Sequence, residues 1–229
     1  MAGVRHPVPA GFTLIELLVV LGIIAAVVGG IGLAMRGGDD SVALGTAQRT
    51  MASMLTATRA QAVMNGTQAR LIVHVDPDEP DRFLRKVGIM RRAETGGDWI
   101  PTSDGTMLPR GTYFVPNPNH VGAADGLFGG EWNPATDGGD AVSRYPDPRM
   151  SIAYPDSDVQ ARLWAYYEFG PDGQLTNDMG MNNQIVLTPG RRTQLTPVFE
   201  NPENVRGLVI RRIGTFHLIN ERLSFHGTD

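Results

Sequence analysis

The residues able to do chemistry are few, and their spacing is poor for catalysis. The histidines His6, His74, His120, His217 and His226 show no HExxH or other close pairing of the kind a metal site needs. With no cysteine in the chain, thiolate metal ligands, a cysteine nucleophile and disulfide staples are excluded together. No serine stands in G-x-S-x-G, so the common hydrolase elbow is missing. The acidic run Asp76-Pro77-Asp78-Glu79-Pro80-Asp81 suggests calcium, but it lacks the glycine and closing glutamate of an EF-hand loop and reads as a solvated turn. Gly170-Pro171-Asp172-Gly173 is also a turn, since no Gly-Lys-Ser/Thr follows it as a phosphate loop would require. The expectation is a chain that is not an enzyme and holds neither cofactor nor metal.

Two features could still act on a partner. The first is Glu16, the one charged side chain in the 24-residue run 12–35. As a helix that run would measure about 36 Å, enough to cross a hydrocarbon layer of roughly 30 Å. A carboxylate within it costs roughly 2.5–3.5 kcal/mol at the bilayer centre and less near an end, so it calls for a partner. The second feature is basic. Residues 12–188 hold 13 lysines and arginines against 20 acids, net −7, whereas 189–229 hold six arginines against four acids, net +2. Those arginines are Arg191, Arg192, Arg206, Arg211, Arg212 and Arg222, and they would contact nucleic-acid phosphates if they shared one face.

The elements that must position these residues follow from periodicity. Arg36-Gly37-Gly38-Asp39-Asp40 interrupts the apolar pattern, and Ser41 is placed to cap a second helical stretch. Leu44, Ala47 or Gln48, Met51, Met54-Leu55, Thr58 and Ala62 then recur at helical spacing as far as Asn65-Gly66, a usual stop. Met51 and Met54 are core rather than ligand. Beyond Gly66 strands are expected at 69–75, 83–90, 112–115, 150–154, 162–169, 184–187, 208–212 and 215–220. A helix followed by successive antiparallel strands gives an α+β head. Segment 116–148, rich in glycine and proline, is a long loop; it is either a surface excursion or a partner contact with Phe128 and Trp132 as anchors. A composition of 41% apolar and 19% charged residues supports one folded domain of this kind.

Gly11-Phe12-Thr13-Leu14-Ile15-Glu16-Leu17-Leu18-Val19-Val20 resembles the cleavage and methylation signal of type IV pilins and type II secretion pseudopilins. The helix ending in Ala57-Thr58-Arg59-Ala60-Gln61-Ala62-Val63, the segment Tyr167-Glu168-Phe169-Gly170-Pro171-Asp172-Gly173 and a closing hairpin around Ile213-Gly214 are similar to GspH/FimT minor pseudopilins, though more loosely. The resemblance implies a leader at 1–11 and a prepilin peptidase cut between Gly11 and Phe12, with N-methylation of Phe12. It further implies a membrane helix at 12–35, an amphipathic helix at 36–66 and a β-rich head at 67–229. On this reading the subunit lies in the inner membrane with its amino terminus cytoplasmic and its head extracytoplasmic, and works in protein export or a related pilus. Its implied partners are other pseudopilins or pilins, the peptidase, a platform membrane protein and an assembly ATPase. Glu16 would lie one turn from the Phe12 amine, and in a staggered bundle would neutralise that of a neighbour. Three alternatives stay open: a secretory signal cut after Gly32-Leu33-Ala34, a DNA-uptake minor pilin using the arginines above, and an anchored binding module that never polymerises.

Overall fold

The structure is a computed structural model that describes residues 14–117, 132–133, 139, 141–144, 149–156, 159–176, 183–193, 197–199 and 201–225; for 26–39 it describes the backbone alone. The chain divides into two units, Met1–Asp39 and Asp40–Asp229.

One helix, α1 (Leu14–Asn65), contributes to both units. The backbone stays helical through Gly37-Gly38, where the apolar pattern breaks, so the stretches expected at 12–35 and 36–66 belong to one long helix and Ser41 caps no separate one. Two interior glycines cost roughly 2 kcal/mol of helix propensity. A break would instead open two new helix ends, each with four backbone groups to satisfy. In the first unit every large apolar side chain from Leu14 to Ile24 is at least half exposed. Among the described residues no helix is long and apolar enough to cross a membrane; the apolar run 12–35 extends beyond the described side chains at both ends.

In the second unit α1 buries the stripe that its periodicity selects: Leu44, Ala47, Gln48, Met51, Leu55, Thr58 and Ala62. The helix ends in a Schellman arrangement, in which the Gly66 N–H donates to Val63 O and the Thr67 N–H donates to Ala62 O. Gly66 takes φ 63° there, a conformation open to glycine at no steric cost.

Two antiparallel sheets complete the head. One contains β1 (Ala69–His74), β2 (Lys86–Arg92), β3 (Trp99–Pro101), β4 (Thr106–Met107), β6 (Met150–Ile152) and β7 (Arg162–Phe169). Its order is β3-β2-β1-β7-β6, with β4 also paired to β2. The other contains β5 (Thr112–Phe114), β8 (Asn183–Pro189), β11 (Arg206–Ile210) and β12 (Phe216–Ile219), in the order β12-β11-β8-β5. A separate two-stranded ribbon joins β9 (Arg191–Arg192) to β10 (Pro197–Val198).

Alternation along β1 assigns its two faces. Ala69, Leu71 and Val73 join the main core with the α1 stripe, while Ile72 belongs to a second cluster with Met90, Tyr154 and Trp164. The rim of that second cluster is stitched by Arg70, whose guanidinium lies 3.9 Å from the Trp99 ring centroid and 4.1 Å from that of Tyr166. Its Nε donates to Glu168 Oε2 at 2.7 Å, so the charge is paired as well as stacked.

Candidate functional site

Gly11 and Phe12 lie outside the described residues. Glu16 sits in the first turn of α1, exposed among apolar neighbours, where an acidic side chain also complements the positive end of the helix dipole. The carboxylate is displayed outward on a helix whose surrounding side chains are greasy.

The loosely recognised marks in the head, far apart in sequence, meet at one place. Arg59 of α1 donates from Nε to Gly173 O at 3.0 Å. Gly173 lies in the turn after β7, and Gly214 in the β11–β12 hairpin; both have positive φ, 75° and 78°. They are so close that a β-carbon on Gly214 would sit 2.0 Å from Gly173 O and 2.9 Å from Arg59 Nε. The Leu175 N–H donates to Arg212 O at 2.8 Å, which ties the same turn to the hairpin. Helix and both sheets are thus joined through backbone that only glycine allows to approach this closely. A second junction lies about three turns earlier, where the buried Gln48 Nε2 donates to Gly207 O and Ile219 O, each at 2.9 Å. Its sequence signal was a polar residue at a core position of the helical stripe.

The acidic run is not a freely solvated turn. Arg162 reaches Glu79 at 3.3 Å and Asp76 and Asp78 at 3.8 Å, and Arg82 pairs with Glu79 at 3.2 Å. Asp81 pairs with Arg192. Asp76 Oδ1 accepts the Asp78 N–H in a local turn, and Asp76 itself is nearly buried. The positive charge facing these carboxylates is supplied by guanidinium groups of the chain itself. Among the described residues no cluster of three or more potential metal ligands occurs.

Of the histidines, His6, His120 and His226 lie outside the described residues, and His217 is half-buried in β12. His74 closes β1 with no exposed surface, its ring edge-on to Trp164 at 4.9 Å between centroids. Its Nε2 is 3.3 Å from Glu79 Oε2. Burial lowers its pKa from 6.5 to about 4 despite the opposing pull of Glu79 and Asp76, with Arg82 and Arg162 adding to the lowering. The imidazole is neutral at pH 7.

The six arginines are spread over several elements. Arg191 and Arg192 are exposed in β9; Arg206 begins β11 and reaches Ser41 Oγ at 3.4 Å. Arg211 and Arg212 are exposed at the tip of the β11–β12 hairpin, five and six residues along from Arg206 and thus about 16–20 Å away on extended chain. Arg222 pairs with Glu203 at 3.3 Å and lies 6.0 Å from the Trp132 ring centroid. Trp132, a candidate anchor if the 116–148 loop were a partner contact, is fully buried and bridged to Phe199, with ring centroids 5.7 Å apart. Its indole is part of the head's core. Phe128, its expected companion, lies outside the described residues.

These features describe an α+β chain whose amino-terminal apolar helix carries a single exposed acid, Glu16, in its first turn. Residues 9–32 match the family model described as the prokaryotic N-terminal methylation motif. A solved structure of the minor pseudopilin EpsH, from the type 2 secretion system of Vibrio cholerae, is similar at 13% identity and a TM-score of 0.40, over 78% of this chain and 96% of that one. No curated protein matches the chain.

Proposed function

We propose that this chain is a minor pseudopilin-like structural subunit of a type II secretion pseudopilus or a related type IV pilus, without catalytic activity. The observation that carries the reading is the methylation motif at 9–32, with Gly11, Phe12 and Glu16 in place. Prepilin peptidase cuts between Gly11 and Phe12, and the new amine on Phe12 is methylated. Residues 12–35 hold the subunit in the inner membrane, amino terminus cytoplasmic and head extracytoplasmic, until a platform protein and an assembly ATPase draw it into a filament with other pseudopilins.

Glu16 is the register group in this mechanism. In hydrocarbon its carboxylate is costly alone, and the methylated amine of a neighbouring subunit removes that cost only when the two helices are staggered by about one turn. The head is then carried by the junctions of Gln48 and Arg59, which tie the helix to the sheets.

Mass spectrometry of the mature protein tests the reading and is expected to find N-methyl-phenylalanine from Phe12. An intact Met1 terminus or a cut after Ala34 would overturn it. Glu16→Val separates a polymerising subunit from a lone anchored module: it is processed normally and fails to enter filaments. Unimpaired incorporation of that variant would remove the register role.

A further inference from the structure

The β11–β12 hairpin fixes which backbone groups of β12 face outward. The Arg211 N–H donates to Thr215 O at 2.8 Å, so these two residues form a hydrogen-bonded pair. Such pairs alternate along an antiparallel ladder. Val209 with His217 is therefore the next bonded pair, while Ile210 with Phe216 and Leu208 with Leu218 are non-bonded ones. The N–H and C=O of Phe216 and Leu218 thus point away from β11, along the open side of the sheet. β12 is the terminal strand there, and among the described residues nothing pairs with those groups. At the other end of the same sheet, by contrast, the Phe114 N–H of β5 donates to Leu84 O. Edge strands are usually blunted by a lysine, a proline or an inward-pointing charge, and Phe216-His217-Leu218-Ile219 carries no lysine, proline or acid. Leu218 is 49% exposed, and Thr215, Asn220 and Glu221 on either side of it are exposed as well.

We propose that β12 pairs antiparallel with β12 of a second copy of this chain, about a two-fold axis at His217, joining the two four-stranded sheets into one. In that register Phe216 of each copy exchanges both main-chain hydrogen bonds with Leu218 of the other, and the exposed Leu218 side chain lies against the Phe216 ring. His217 faces His217 in a non-bonded pair, with Cα atoms about 4.5 Å apart. Charge selects a second copy as the occupant. Exposed Arg211 and Arg212 lie at the hairpin end of the strand, and exposed Glu221 lies at its other end. Antiparallel self-pairing brings the acid of each copy level with the arginines of the other, twice over, whereas parallel pairing would set arginines against arginines. The contact is isologous and so closes at two copies. It lies wholly within the head, and it goes beyond the filament role proposed above.

The absence of native cysteine makes the test direct. In the detergent-solubilised full chain, His217→Cys is expected to run mostly as a disulfide-linked dimer after mild oxidation, because an opposed pair about 4.5 Å apart lies within disulfide reach. Thr215→Cys stands four residues from its symmetry mate, about 13 Å away, and is expected to stay monomeric. Adding Leu218→Pro to His217→Cys should abolish the link. It deletes an outward N–H that the ladder to β11 does not use, so the fold is kept, as tryptophan fluorescence in urea will show. Should the proline variant prove unfolded, Leu218→Lys takes its place, since a lysine on the edge blocks pairing and leaves the backbone unchanged. A monomeric His217→Cys would overturn the proposal, and so would equal linking at 215 and 217 or a link that survives the edge substitution in a folded chain.

Discussion

Gly214→Ala is expected to be among the costliest single-methyl additions to this head, and the reason can be worked through contact by contact. An alanine at φ 78° pays roughly 1–2 kcal/mol for the left-handed conformation alone. Its β-carbon would stand 2.0 Å from Gly173 O, so the turn after β7 and the β11–β12 hairpin must separate by more than an ångström. That movement pulls Gly173 O away from Arg59 Nε, now at 3.0 Å, and a hydrogen bond from a charged donor contributes about 1.5–3 kcal/mol. The combined loss is about 2.5–5 kcal/mol. Gly66→Ala is the internal control: it has a similar φ, 63°, and nothing within 4 Å of the added carbon, so only the conformational cost of about 1–2 kcal/mol applies. Urea denaturation of the detergent-solubilised chain, followed by the fluorescence of Trp99, Trp132 and Trp164, reads the difference. Arg59→Met should cost less than Gly214→Ala, and the double variant should cost less than the two together because both disrupt the same bond. If Gly214→Ala destabilises no more than Gly66→Ala, the glycine junction does not hold helix and sheets together.

Three further outcomes are expected. His74 binds a proton more readily unfolded than folded, since its folded pKa is about 4 against 6.5, so its contribution is complete above pH 6.5 and is lost as pH falls toward 4; between pH 7 and 5 this removes about 2 kcal/mol. Thermal melts at the two pH values should show that loss shrink in His74→Phe, and an unchanged pH slope would count against the buried neutral histidine. Gln48→Leu strips Gly207 O and Ile219 O of their donor and should destabilise by about 2 kcal/mol in urea melts; a neutral result would mean that the two carbonyls find other partners. Trp132→Ala should destabilise the head by about 3–5 kcal/mol through a cavity beside Phe199, and a variant of unchanged stability would return Trp132 to the role of a surface contact.

Much of the fold was legible because it rests on local patterns. The α1 stripe from Leu44 to Ala62 and the stop at Asn65-Gly66 follow from helical spacing and a glycine cap. Strand β7 spans the expected 162–169 because a run rich in aromatic residues lies between turn signals. The short strands β3, β4, β9 and β10 were not legible, since two or three residues carry no period and pair only because longer neighbours offer an edge. Helix continuity through Gly37-Gly38 ran against local propensity, which is a small term beside the cost of two unsatisfied helix ends.

The candidate site divides along the same line. Sequence by itself determined the amino-terminal segment, because its chemistry is local: a glycine, an aromatic residue and a glutamate one turn on, set in an apolar run, need no distant partner to be recognised. Only the tertiary structure decided what the head residues do. Trp132, a candidate partner anchor, joined the core, the acidic turn acquired Arg162 as its counter-ion, and Arg59, Gly173 and Gly214 became one junction. Each of those roles depends on a contact across many residues of chain, set by strand pairing and packing rather than by any spacing along the sequence.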